Sequence, residues 1–162
     1  MTALAQKNIG FPVWKILVAT TAMKADQFRE CLDKPKFKIA EFADDLLIAA
    51  FPSNPEFKLI LLSVVELGFP KGAKYSEICA KAQLLGLGLC PPEVGPMLRQ
   101  SYVNQPIEER LQIAMEARKG LNGYLGIFVI SHRKDKRLWL DWHRGHPDTT
   151  WFPSSLFVFL SL

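Results

Sequence analysis

Residues 57–67, FKLILLSVVEL, are almost continuously apolar. The run falls well short of the ~20 residues of a membrane helix and has the length of a single strand. A strand that is apolar on both sides must be covered on both sides, so the run predicts a central strand in a layered domain. The breaker cluster Phe51-Pro52-Ser53-Asn54-Pro55 precedes it, and a loop from Gly68 to Lys74 follows.

The rest of the chain is organised around that strand. The β-branched and aromatic stretch 13–20, VWKILVAT, predicts a strand, and Lys24–Leu32 a short helix that Pro35 ends. Lys34 to Lys38, KPKFK, reads as a basic loop. Ile39, Phe42, Leu46 and Ala49/Ala50 make one helical stripe over 39–50. Tyr75, Ile78, Cys79, Ala82 and Leu85 make another over 75–85, with Gly86 as its stop. Pro91 and Pro92 open a second helix, with Glu93 in its first turn.

The last third alternates as antiparallel strands do: 111–118, 124–131 and 138–143, with an Asn122-Gly123 turn and a charged tip, HRKDKR, at 132–137. A polar loop, Arg144 to Pro153, leads to a final strand, Leu156–Leu162. We therefore expect residues 1–162 to form a single α+β domain, a mostly antiparallel β-sheet with three or four helices packed on one side.

With 162 residues, 49% hydrophobic and 22% charged, the chain can bury a core and is neither disordered nor of low complexity. Lys7, Asn8, Gly10, Pro12 and Lys15 interrupt the N-terminal apolar stretches, so no leader is expected and the expected compartment is the cytoplasm. The net charge of +4 is spread evenly along the chain, whereas nucleic-acid binders usually concentrate it. Three widely spaced cysteines, Cys31, Cys79 and Cys90, predict buried free thiols rather than a disulfide framework or a zinc ribbon.

One long string stands out: L-G-F-x-x-G-A-x-Y from Leu67 to Tyr75, then L-G-L-x-L-C-P-x-E-V-G-P-x-L-R-x-x-Y-x-x-Q-P from Leu85 to Pro106. I-A-M-E at 113–116, L-W-L at 138–140 and P-D-x-x-W at 147–151 follow it, and F-P-V-W-K precedes it near the N-terminus. Together they resemble a family of small bacterial hypothetical proteins, over nearly the whole chain. The resemblance implies no activity and supplies no catalytic residue. Between 118 and 137 this chain is basic where the family pattern is acidic.

Several residues are candidates for chemistry. Arg99 and Tyr102 share a helix face, with Gln105 just beyond, and a guanidinium fork beside a tyrosine can receive a carboxylate or phosphate. Alternatively, Arg99 pairs with an internal carboxylate such as Glu116. We expect a polar cleft where 92–106 meets the C-terminal sheet, with Arg99, Tyr102, Gln105, Glu116, Trp139 and Asp148 as its members. The expected role is non-enzymatic binding of an anionic or aromatic ligand, or of a protein partner, without a cofactor.

An enzyme alternative is a small metal-dependent hydrolase using Asp141, His143, His146 and Asp148, although their spacing matches no dedicated metal signature. A DNA-binding alternative reads 75–103 as helix-turn-helix, from Gly88, Val94 and Leu98 at offsets 0, 6 and 10. It is disfavoured, because the would-be reading helix carries Glu93, Gly95 and Pro96 with Arg99 as its only cation. Cys90, ahead of a helix, is a candidate nucleophile if His143 or His146 lies near it. Trp139 and Trp142 should point to opposite faces of one strand, and a groove of whichever is exposed with Trp151 and Tyr102 is an alternative to core packing.

Overall fold

The computed structural model describes residues 10–18, 24–47 and 56–162. The N-terminal residues 1–9, the end of the first expected strand, the end of the 39–50 helix and the 51–55 breaker cluster lie outside the described residues.

In chain order the elements are β1 (Lys15–Val18), α1 (Ala25–Cys31), β2 (Phe37–Ile39), α2 (Glu41–Leu46), β3 (Glu56–Ser63), β4 (Ala73–Lys74), α3 (Tyr75–Leu84) and β5 (Leu87–Gly88). They continue with α4 (Val94–Ser101), β6 (Arg110–Ile113), β7 (Arg118–Lys119), β8 (Leu125–His132), β9 (Leu138–Arg144), β10 (Thr150–Trp151) and β11 (Leu156–Ser161). The class is α+β with a mostly antiparallel sheet, as expected, but the helices do not all share one side: α2 and α4 lie on one face and the start of α3 on the other. The main sheet runs β1-β3-β11-β6-β8-β9-β2, with β5 joined to β11 and β7 to β8. Its pairings are antiparallel except β11 with β6 and β2 with β9.

The apolar run at 57–67 does become a strand with a partner on each edge, β1 and β11. It stops at Ser63, whose amide and hydroxyl both donate to the Glu66 carboxylate and turn the chain. Leu59 and Ile60, on opposite faces, are both buried, so both faces are covered there.

Side-chain alternation through the register assigns the layers. Phe128 pairs with Trp142, and Ile130 with Leu140, on one face of the β8–β9 hairpin. α2 packs on that face through Phe42, whose ring meets Trp142 edge-on at 5.3 Å. α4 lies there too. A Cβ at Gly95 would come within 2.6 Å of the Phe128 ring, so only glycine lets the helix sit this low. α1 packs beside α4. The opposite face holds Phe157, Gln112 and Val129 in one row. The start of α3 and the β4–β10 ribbon cover it, with Tyr75 stacked on Phe157 and Trp151 edge-on to it at 5.0 Å.

Three local readings change. KPKFK is not only a loop: 37–39 pair in parallel with β9, Phe37 is buried, and Ile39 joins the strand rather than the helical stripe. The 111–118 stretch does not form one strand. At Ala114 the chain leaves β8; its amide donates to the Val158 carbonyl and its carbonyl accepts from Cys90. The 68–74 and 144–153 loops each give two residues to the ribbon in which Thr150 faces Lys74.

Candidate functional site

α4 is amphipathic, and its buried stripe includes Val94, Leu98 and Arg99. An arginine on an apolar stripe must bring its own acceptors inside. Arg99 is 0% exposed. One terminal nitrogen donates to Gln105 Oε1 at 2.7 Å, to the Ser131 carbonyl at 3.1 Å and toward the Trp139 carbonyl at 3.4 Å. The other donates to the Tyr102 carbonyl at 2.5 Å.

Gln105 is fully used. Its side-chain amide nitrogen donates to the Ile130 and Glu109 carbonyls, and its backbone carbonyl lies 2.6 Å from His132 Nδ1. Tyr102 donates its hydroxyl to Glu109 at 3.1 Å, while Trp14 packs edge-on to its ring and the Lys15 ammonium sits 4.3 Å from the centroid. Burial pulls the Arg99 pKa down and pushes the Tyr102 hydroxyl up to about 12, the Glu109 carboxylate adding to the latter shift.

This corrects the expected cleft. Arg99, Tyr102 and Gln105 do come together, but as a closed network that ties α4 to β8. Its acceptors are carbonyls and an amide rather than a carboxylate, and Glu116 is exposed elsewhere, on a small hollow beside Tyr75 and Cys79. Asp148 is exposed too, beside Lys74 and His146. Trp139 contributes its carbonyl to the network, while its ring lies on the opposite face of the sheet.

On that opposite face the structure builds a different site. β9 presents Trp139 and Asp141 there, β8 presents Ser131, and the register sets Arg110 of β6 opposite Ser131. Asp141 is buried, with its side chain 9% exposed. Its Oδ1 accepts from the Trp142 amide at 2.9 Å. Its Oδ2 meets Arg133 at 2.6 Å, the Ser131 hydroxyl at 3.3 Å and Arg110 at 3.5 Å.

The two guanidiniums are 41% and 43% exposed. That of Arg133 also lies 3.6 Å from the centroid of the Trp139 ring. Two cations thus share one carboxylate oxygen, leaving one positive charge in excess and several N–H groups facing solvent. Beside them a hollow of about 360 Å³ runs between the 108–110 and 131–134 segments. Of its two acidic residues, Glu108 pairs with Lys134 at 3.3 Å, and Glu109 accepts from Tyr102.

The other sequence candidates separate. Asp141 is held by arginines. His143 packs its ring 4.3 Å from Trp151, and His146 accepts from the Asp148 amide. Among the described residues, no three His, Cys, Asp or Glu side chains gather as a metal requires. Cys90 is buried with its sulfur on the Val158 carbonyl, and burial raises its pKa, the opposite of an activated thiol. The start of α3 lies against the face of the sheet opposite α4, and α4 buries its one cation, Arg99. No described helix is long and apolar enough to cross a membrane.

Sequence reasoning missed Arg110 and Arg133. Arg133 belongs to a tip that reads as solvated, and Arg110 lies 31 residues from Asp141 in the chain. The one available signal was a lone aspartate between two aromatic or imidazole side chains on the polar side of an alternating strand, a position that needs a cationic partner once covered. Compared with family models, with curated proteins and with solved structures, the chain matches none.

Proposed function

We propose that this protein is a non-enzymatic binding domain that recognises an anionic group, a phosphate or a carboxylate, at the Arg110–Arg133 pair. The observation that carries the reading is the convergence of two half-exposed guanidiniums on the buried Asp141 oxygen. The aspartate takes one edge of each fork and fixes its direction. The remaining N–H groups are pre-organised for an oxyanion, which lowers the entropy lost on binding. Trp139 adds a flat wall under Arg133.

The reading also includes membership of the small bacterial family that the 67–106 string resembles, and a cytoplasmic setting. The three free thiols support that setting.

Calorimetric titration of the full chain with inorganic phosphate, pyrophosphate and citrate at low salt tests the proposal. Saturable binding of at least one probe is expected, weakened about tenfold or more by Arg133→Ala and by Arg110→Ala, and falling with added salt. No saturable binding of any of the three, or binding that survives the double variant, sinks it.

A further inference from the structure

A second cationic site lies at the far end of the β8–β9 ladder. Gly126 pairs with Arg144 at this end and His132 with Leu138 at the other, so roughly 20 Å of strand separates it from Arg133. Here a cleft of about 700 Å³ opens between the 119–125 turn and the 144–149 loop. That volume lies within the range of small-molecule sites.

The Arg144 guanidinium sits 4.5 Å from the centroid of the Tyr124 ring. Tyr124 is 49% exposed. Neither Arg144 nor Lys119 has a carboxylate within ion-pair reach among the described residues. The acid in the cleft, Asp148, is already shared between Lys74 at 3.9 Å and His146 at 4.0 Å. The Thr149 side chain adds a hydroxyl to the wall.

A guanidinium laid on a tyrosine is a flat, cationic platform. Its outer face stacks on planar rings, and its edge and a neighbouring ammonium accept an oxyanion. We infer that this cleft binds a planar-ring anion of nucleotide size, with the ring on the Tyr124–Arg144 platform and the anionic group on Lys119. The reasoning is independent of the Arg110–Arg133 site. It uses different residues, and it requires an aromatic ring that the first site does not.

The test is titration of the full chain carrying Arg133→Ala, which removes the first anion site, with adenosine monophosphate, ribose 5-phosphate and adenosine. The monophosphate is expected to bind saturably and at least tenfold more tightly than either fragment. Added to that background, Tyr124→Ala, Arg144→Lys and Lys119→Ala should each weaken it several-fold or more. All three cleft side chains are on the surface, so these variants should unfold at the midpoint of Arg133→Ala itself, which separates loss of binding from loss of fold. If ribose 5-phosphate binds as tightly as the monophosphate, the ring platform is wrong and the inference falls. It falls equally if the monophosphate does not saturate, or if Tyr124→Ala leaves its binding unchanged.

Discussion

Arg99 and Arg133 carry the same guanidinium and meet opposite fates on the two faces of one sheet. Arg99 approaches β8 from the helical face and is sealed there among the carbonyls of Tyr102, Ser131 and Trp139 and the Gln105 amide. Arg133 belongs to the other face, lies over Trp139 and keeps nearly half its side chain in water. Ser131 links the two, its carbonyl accepting from Arg99 and its hydroxyl meeting Asp141. An arginine acts as a brace where both terminal nitrogens are held by internal acceptors. It becomes a recognition element where a buried carboxylate takes one edge and leaves the rest free.

The sharpest way to break this contrast is Arg99→Ala. It empties a buried volume and strips several internal acceptors, so a loss of about 3 kcal/mol or more is expected in urea unfolding. A variant as stable as the wild type would show that the network is not the brace described.

Gly95→Ala tests what sets the depth of the helix. Its new methyl would meet the Phe128 ring at 2.6 Å, and we expect a cost of about 1–3 kcal/mol in the same measurement. An unchanged midpoint would mean that Phe128 yields freely.

Arg133→Ala should cost only about 1 kcal/mol or less, because a half-exposed ion pair is largely screened, yet it should remove anion binding. If stability collapses instead, both arginines are structural and the contrast dissolves.

The smallest effect is expected at alkaline pH. The folded state holds the Tyr102 proton up to about pH 12, while an unfolded tyrosine releases it near its ordinary value of 10.0. The unfolded state therefore binds fewer protons between those two values, and stability falls as pH rises through that window. Between pH 10 and 12 the thermal unfolding midpoint of the wild type should fall relative to that of Tyr102→Phe, a difference that isolates this group from the buried Arg99, Cys90 and Tyr75. Parallel profiles for the two proteins would remove Tyr102 from the explanation.

The strands of the C-terminal half were legible because alternation with period two survives in 124–131 and 138–143, and one buried face enforces it. The opposed placing of Trp139 and Trp142 follows from the same period, and so does the position of Asp141. Where the pattern misled, another strand offered a better partner. Phe37 reads as part of a basic loop until β9 pairs with it, and Ala114 continues an alternating run until the Val158 carbonyl takes its amide.

The grouping of Arg99, Tyr102 and Gln105 was readable from helical spacing. Whether the group faced water was not, since spacing carries no information about what lies above a side chain. Glu116 and Asp148 were joined to it on residue type alone, and type does not carry distance.

Local chemistry along the chain, apolar period, glycine and proline punctuation and the lack of any cysteine pair motif, set the α+β class and the rough order of elements. Tertiary packing decided which guanidinium was entombed and which was offered to solvent. That choice depends on the register of β6, β8 and β9, which brings residues 110, 131, 133 and 141 together from separate segments. Burial and pairing are properties of surroundings in three dimensions, and a linear pattern encodes them only where a single element supplies all of its own neighbours.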